Sequence, residues 1–157
     1  MEPTVEAPAM ASERGYERIL VPVDGSETAM VALAEAIDLA DRLGATIHGL
    51  YVVDPRHYHG FTTEDIVLDA LEQEGDAALA DLRERCRARE VPVETATERG
   101  HPSEVICEYA DENDVDRIVM ATHGRRGLDR FLLGSVTERV VRRANVPVLT
   151  VRAPADT

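Results

Sequence analysis

The chain contains no lysine and no tryptophan among its 157 residues. Aromatic side chains make up only 4% of it, so a core has to be assembled mainly from Ala, Val, Leu and Ile. Cysteine is scarce: Cys86 and Cys107 lack the C-x-x-C spacing of a zinc or redox site and make no disulfide framework. No apolar run approaches the roughly 18 residues of a membrane-spanning helix. Residues 1–15 lack the basic start and apolar centre of a secretory signal and read as a flexible tail, which makes the cytoplasm the default location. Without lysine there can be no Walker A loop, which needs Lys after its last glycine. Neither G-x-G-x-x-G nor the G-x-S-x-G nucleophile elbow occurs.

Positive charge is also in short supply. Seventeen basic residues, all Arg, face 30 acidic ones, for a formal net charge of -13. Such a surface repels the phosphates of nucleic acids and anionic lipid, so neither is an expected partner. Its self-repulsion is screened at high salt, and an acidic, lysine-free composition resembles that of proteins from salt-loving archaea.

What is present is a regular alternation of strand and helix patterns. Ile19–Val23 is an apolar run ending in Asp24-Gly25-Ser26. Met30, Leu33, Ile37 and Ala40 then recur at helical spacing, with Ser26 as the expected N-cap and Gly44 as the stop. A second strand covers Thr46–Val53 and closes on Asp54-Pro55, and residues 55–62 read as a loop. A long helix is predicted over Glu64–Arg89, with Leu68, Leu71, Ala78 and Leu82 inward. Gly75 inside it costs about 1 kcal/mol relative to Ala, which points to a kink or to close packing. Val91–Thr97 alternates as an edge strand does, and Pro102 opens a helix that turns Val105, Ile106, Tyr109 and Ala110 inward. Arg117–Ala121 is a fourth strand, 122–133 a loop, Ser135–Ala144 a helix facing inward through Val136, Val140 and Ala144, and Val146–Val151 the last strand.

Strand–helix alternation of this kind predicts an α/β protein: a single domain over 16–152, with tails at 1–15 and 153–157. The expected architecture is an open five-stranded parallel sheet in the order 3-2-1-4-5 with helices on both faces. Ligands in such sheets bind beyond the carboxyl ends of the strands, where the order reverses. Here that is the gap between strands one and four. The loop after strand four carries Gly124 and Gly127, which let backbone approach a ligand, and Arg125, Arg126 and Arg130 against Asp129, a local charge of about +2. Gly134-Ser135 then begins a helix, with Ser135 and Glu138 at capping-box spacing. A helix start offers unpaired N–H groups and a partial positive charge to an anion.

Other candidates have plainer readings. His57 and His59 sit at i, i+2 without supporting acids and are expected in solvent rather than on a metal. His101 reads as a loop or cap residue. No base-and-nucleophile pair marks His123 as catalytic, so no catalytic residue is assigned.

The segment Ala121-Thr122-His123-Gly124, nine residues, then Gly134-Ser135 resembles the ATP-binding signature of universal stress proteins, G-x-x-G, nine residues, G-[ST]. Ala121 stands where that signature has its first glycine; were that backbone left-handed, Ala would cost about 1 kcal/mol. Ile19-Leu-Val-Pro-Val-Asp24-Gly-Ser26, Tyr51-Val-Val-Asp54 and Asn145-Val-Pro-Val-Leu-Thr-Val-Arg152 are similar to other stretches of the family, and together the likeness covers 16–152.

The resemblance implies a Rossmann-like, adenine nucleotide α-hydrolase-like fold and an adenine-nucleotide-binding stress or regulatory protein. ATP or AMP would be the ligand, with Mg²⁺ as a companion ion. Pro22, Val23, Asp24 and Val52 would line the adenine and ribose end, with Met120 and Ala121 beside the base. His123, Gly124, Arg125 and Gly127 would approach the phosphates, which would end on Gly134, Ser135, Val136 and Thr137. It further implies an antiparallel homodimer through Val148, Leu149, Thr150 and Val151. A slow ATP hydrolase and a dimerisation module that binds no nucleotide are the alternatives.

Overall fold

The computed structural model describes residues 16–58, 64–123 and 133–153, without the side chains of 57, 58 and 64–67. Expectations for residues 1–15, 124–132 and 154–157 and for the rings of His57 and His59 therefore lie outside the described residues.

Five parallel strands form one sheet: β1 (Arg18–Val23), β2 (Thr46–Val53), β3 (Val93–Arg99), β4 (Arg117–Ala121) and β5 (Val148–Val151), in the order β3-β2-β1-β4-β5. The helices are α1 (Glu27–Leu43), α2 (Glu64–Ala88), α3 (Pro102–Glu112) and α4 (Ser135–Arg143), with a 3-10 turn at Pro55–Tyr58. The alternating side chains of each strand feed two cores. Ile19, Val21, Val23, Ile47 and Val119 pack under Leu33, Ile37, Leu79 and Leu82 of α1 and α2. Leu20, Leu50, Ile118 and Met120 pack under Ile106, Ala110 and Val140 of α3 and α4. A parallel sheet covered on both faces needs apolar residues at successive positions, which is why the strands read as unbroken runs.

Local signals set the boundaries. The Ser26 hydroxyl accepts from the Ala29 amide at the start of α1, and Gly44 ends the helix at φ 68°. The strands β3 and β5 begin two residues later than expected. The Val91 amide is taken by the Cys86 carbonyl at the exit of α2, and Pro92 and Pro147 have no N–H to give the ladder, only carbonyls that accept from Ile47 and Ile118. The capping-box expectation for α4 is corrected: Gly134, not Ser135, is the N-cap, and no side chain caps the helix. Ser135 is already the first helical residue, so its hydroxyl is displaced from the capping position.

Gly75 marks close packing. It is buried against the ring of Tyr51 on β2, and a methyl added there would lie 2.8 Å from Tyr51 Cε1. Helix propensity alone makes Gly75→Ala stabilising by about 1 kcal/mol. The clash with a ring held in the core makes it destabilising by about 1–3 kcal/mol. A lower denaturation midpoint for the variant is expected; a midpoint equal to or above that of the parent would refute this packing account.

Candidate functional site

The ladder between β1 and β4 covers Ile19↔Arg117 and Leu20↔Ile118, whereas that between β1 and β2 runs from Arg18↔Thr46 to Val23↔Tyr51. The central strands therefore part toward their carboxyl ends, at the place where the strand order reverses. A cavity of about 560 Å³ opens there. Its walls come from the ends of β1 (Pro22, Val23), β2 (Leu50, Tyr51, Val52) and β4 (Met120, Ala121), and from Ala29, Leu71, Pro102 and Ile106 on the flanking helices. Its polar groups are Asp24, Ser26, Asp54, His123 and the start of α4 at Gly134, Ser135, Val136 and Thr137.

Eleven of the fourteen residues singled out in the sequence line this cavity: Pro22, Val23, Asp24, Val52, Met120, Ala121, His123, Gly134, Ser135, Val136 and Thr137. Gly124, Arg125 and Gly127 lie outside the described residues. The sequence reading missed Ser26, Ala29, Leu50, Tyr51, Asp54, Leu71, Pro102 and Ile106. Asp54 had a signal of its own, an acid immediately after a strand, as Asp24 has. Leu71 and Ile106 had none beyond an inward place on a helix.

Hydrogen bonds hold the rim. Asp24 Oδ1 accepts from the Ser26 amide at 2.9 Å and from the Ser26 hydroxyl at 2.5 Å, across Gly25 at φ 84°. Ser26 Oγ lies 2.9 Å from Thr28 Oγ1, which donates to the His123 carbonyl at 2.9 Å. The Gly134 amide donates to the Thr122 carbonyl at 2.7 Å, and the buried Thr137 hydroxyl donates to the Ala121 carbonyl at 2.9 Å. These last two bonds seat the start of α4 on the end of β4. A side chain at Gly134 would put its Cβ 3.2 Å from His123 Cα, so glycine permits the approach. Ala121 pairs with Val151 in the sheet and is absent from the residues of positive φ, so alanine meets no backbone strain there. Asp54 is gripped by Arg56 through both carboxylate oxygens, at 3.0 and 2.9 Å.

The arrangement suits a ligand with an apolar plate, hydroxyls and an anionic end. A carboxylate in its lining accepts hydroxyl protons. The uncapped first turn of α4, also in the lining, presents amides without intrahelical partners and the positive end of the helix dipole. A volume of this size is ordinary for a small-molecule pocket. No group of three or more His, Cys, Asp or Glu that could hold a metal occurs among the described residues. Cys86 is fully buried, and burial pushes its thiol up to about 11.

One polar cluster lies one layer below the cavity. His48 on β2 is 3% exposed, with Nδ1 2.9 Å from the Tyr109 hydroxyl and Nε2 3.3 Å from Glu94. Burial lowers its pKa below 6.5, against the opposing pull of Glu94. The imidazole is then neutral at pH 7 and shares a hydrogen bond with the Tyr109 hydroxyl.

The model of the family described as Universal stress protein family matches residues 15–152. A universal stress protein of Methanocaldococcus jannaschii, MJ0531, is 37% identical over 145 residues, covering 90% of this chain and 85% of that one. Among solved structures, MJ0577 of the same organism superimposes with a TM-score of 0.84 at 31% identity, covering 90% of this chain and 99% of that one. UspA from Lactobacillus plantarum gives 0.76 at 34% identity, covering 87% and 98%. A universal stress protein in complex with cAMP gives 0.65 at 25% identity, covering 88% and 98%.

The His48 cluster carries a pH signature. With its pKa depressed in the fold, the unfolded chain takes up a proton first as pH falls below 6.5. The contribution of His48 to stability is complete above that value and is lost on acidification toward the folded pKa. Unfolding free energy should therefore fall more steeply between about pH 7 and pH 5 in the parent than in His48→Gln. Parallel slopes would contradict the assignment.

Proposed function

The chain belongs to the universal stress protein family, and from that premise we propose that it binds an adenine nucleotide, ATP or AMP, as the ligand of a stress-response or regulatory protein rather than of an efficient enzyme. The observation that carries the reading is one cavity with a carboxylate, Asp24, and an uncapped helix start, Ser135–Thr137, both on its rim. In this reading Pro22, Val23, Val52, Met120 and Ala121 hold the base, and Asp24 accepts a ribose hydroxyl. The amides of Ser135, Val136 and Thr137, with the Ser135 hydroxyl and His123, receive phosphate, and the signature residues Gly124, Arg125 and Gly127 complete that end. A Mg²⁺ would arrive on a triphosphate, its charge met there by phosphate oxygens. The relative in complex with cAMP supports an adenine nucleotide as the ligand class.

Calorimetric titration of nucleotide-stripped protein with ATP and AMP tests this reading. It is run in concentrated KCl, the medium to which the acidic, lysine-free composition points. Saturable binding is expected, weakened roughly tenfold by Asp24→Ala, the loss of one charge-assisted hydrogen bond. No heat with either nucleotide would rule the reading out.

We also infer a homodimer through the sheet edge. The edge strand β5 carries Leu149 at 41% exposure, and the neighbouring α4 carries Val141 at 45%. An apolar edge strand with open backbone groups is a template for pairing with a second copy. Sedimentation should give a dimer that Leu149→Asp converts to monomer. A parent chain that sediments as a monomer at micromolar concentration would remove this proposal.

A further inference from the structure

Pro22 lies in β1, the middle strand of the order β3-β2-β1-β4-β5. A proline has no N–H for a ladder, so prolines in sheets are confined to edge strands, strand starts and bulges. Pro22 is none of these. It is the fifth residue of a central strand, and its register to β2 is unbroken on both sides, from Val21↔Gly49 through Pro22↔Leu50 to Val23↔Tyr51.

The direction of the backbone shows which neighbour misses the bond. Along a parallel strand the amide and carbonyl of one residue point to one neighbouring strand, and those of the next residue point to the other. The Glu17 carbonyl accepts from Thr46 at the start of β2, whereas the Arg18 carbonyl accepts from Asp116, just before β4. Even-numbered residues of β1 therefore face β4, and Pro22 is one of them. On β4, the amides of Ile118 and Thr122 donate to Pro147 and Val151 on the β5 side, so Val119 and Ala121 face β1. The Leu20↔Ile118 register then sets the Pro22 nitrogen against the Val119 carbonyl. That is where the β1–β4 ladder stops, while the β1–β2 ladder, which needs no amide from Pro22, runs on to Val23↔Tyr51. Pro22, Met120 and Ala121 all line the cavity that opens there. The ring carbon on the proline nitrogen also holds a facing oxygen beyond the roughly 2.9 Å of an N–H···O bond.

We infer that Pro22 is a positioning residue: its missing N–H ends the β1–β4 ladder, and its ring keeps the two strands apart so that the cavity stays open. The consequence for ligand binding rests on the nucleotide reading; the consequence for the ladder does not. Val119 is fully buried, so a donor restored at position 22 meets its carbonyl where water does not compete.

The test replaces Pro22 with valine, which suits a strand and keeps an apolar side chain, and with glycine, which keeps none. Both supply an N–H at position 22. Without nucleotide, NMR of each variant should show slow exchange of that amide and a coupling through its hydrogen bond to the Val119 carbonyl. The denaturation midpoint of Pro22→Val should be no lower than that of the parent. ATP affinity by calorimetry is expected to fall about tenfold or more in both variants, as the cavity narrows. If Pro22 were only an apolar contact for the ligand, Pro22→Val would bind within about threefold of the parent and Pro22→Gly alone would lose affinity, and that result would overturn the proposal. A freely exchanging amide at position 22 in Pro22→Val, with no coupling to Val119, would overturn it as well. A parent chain that binds no ATP would remove the nucleotide reading alone, and the amide at position 22 would still decide the role of Pro22.

Discussion

The parting of β1 from β4 beyond Leu20 and Ile118 opens the cavity on which the functional reading depends. A parallel sheet covered on both faces leaves little room for polar groups along its central strands, because each face is committed to a core; His48, hydrogen-bonded to Tyr109, is an exception. Polar side chains are driven to the carboxyl rim, and only where two neighbouring strands separate does the rim become a cavity. Asp24 and His123 stand on its two sides because they follow the two strands that part. The start of α4 reaches the same place because the Thr137 hydroxyl and the Gly134 amide hold it to the carbonyls of Ala121 and Thr122.

The protein's electrostatics sharpen the role of that helix start. In a chain of net charge -13 an anion finds few welcoming surfaces. Backbone amides and a helix dipole attract an anion without any cationic side chain, and their geometry is fixed by the fold. The cavity is lined by both kinds of group: amides at the start of α4 that suit an anion, and the Asp24 carboxylate, which accepts hydroxyl protons and repels phosphate.

Much of this was legible in the residues. The parallel sheet followed from the alternation of strand and helix patterns, the expected order 3-2-1-4-5 is the one observed, and Ser26, Gly44 and Pro102 marked helix ends through their own chemistry. The signature and the strand ends brought eleven cavity residues to view. What sequence could not supply was contact between elements far apart in the chain. That Gly75 makes room for Tyr51 depends on where α2 lies over β2. That Thr28 reaches His123, 95 positions away, depends on α1 and the end of β4 meeting at the rim. Ser135 was misread as a cap because S-x-x-E spacing fits equally well one residue into a helix, and only the backbone angles of Gly134 distinguish the two registers. The backbone at Ala121 was equally unreadable: a signature glycine suggests a left-handed residue, and the sheet shows an extended one.

A crystal structure of the chain grown with ATP would test the central claim most directly. The account predicts phosphate oxygens within hydrogen-bonding distance of the amides of Ser135, Val136 and Thr137, and a ribose hydroxyl on Asp24. A nucleotide bound with its phosphates away from the start of α4, or its sugar away from Asp24, would contradict it.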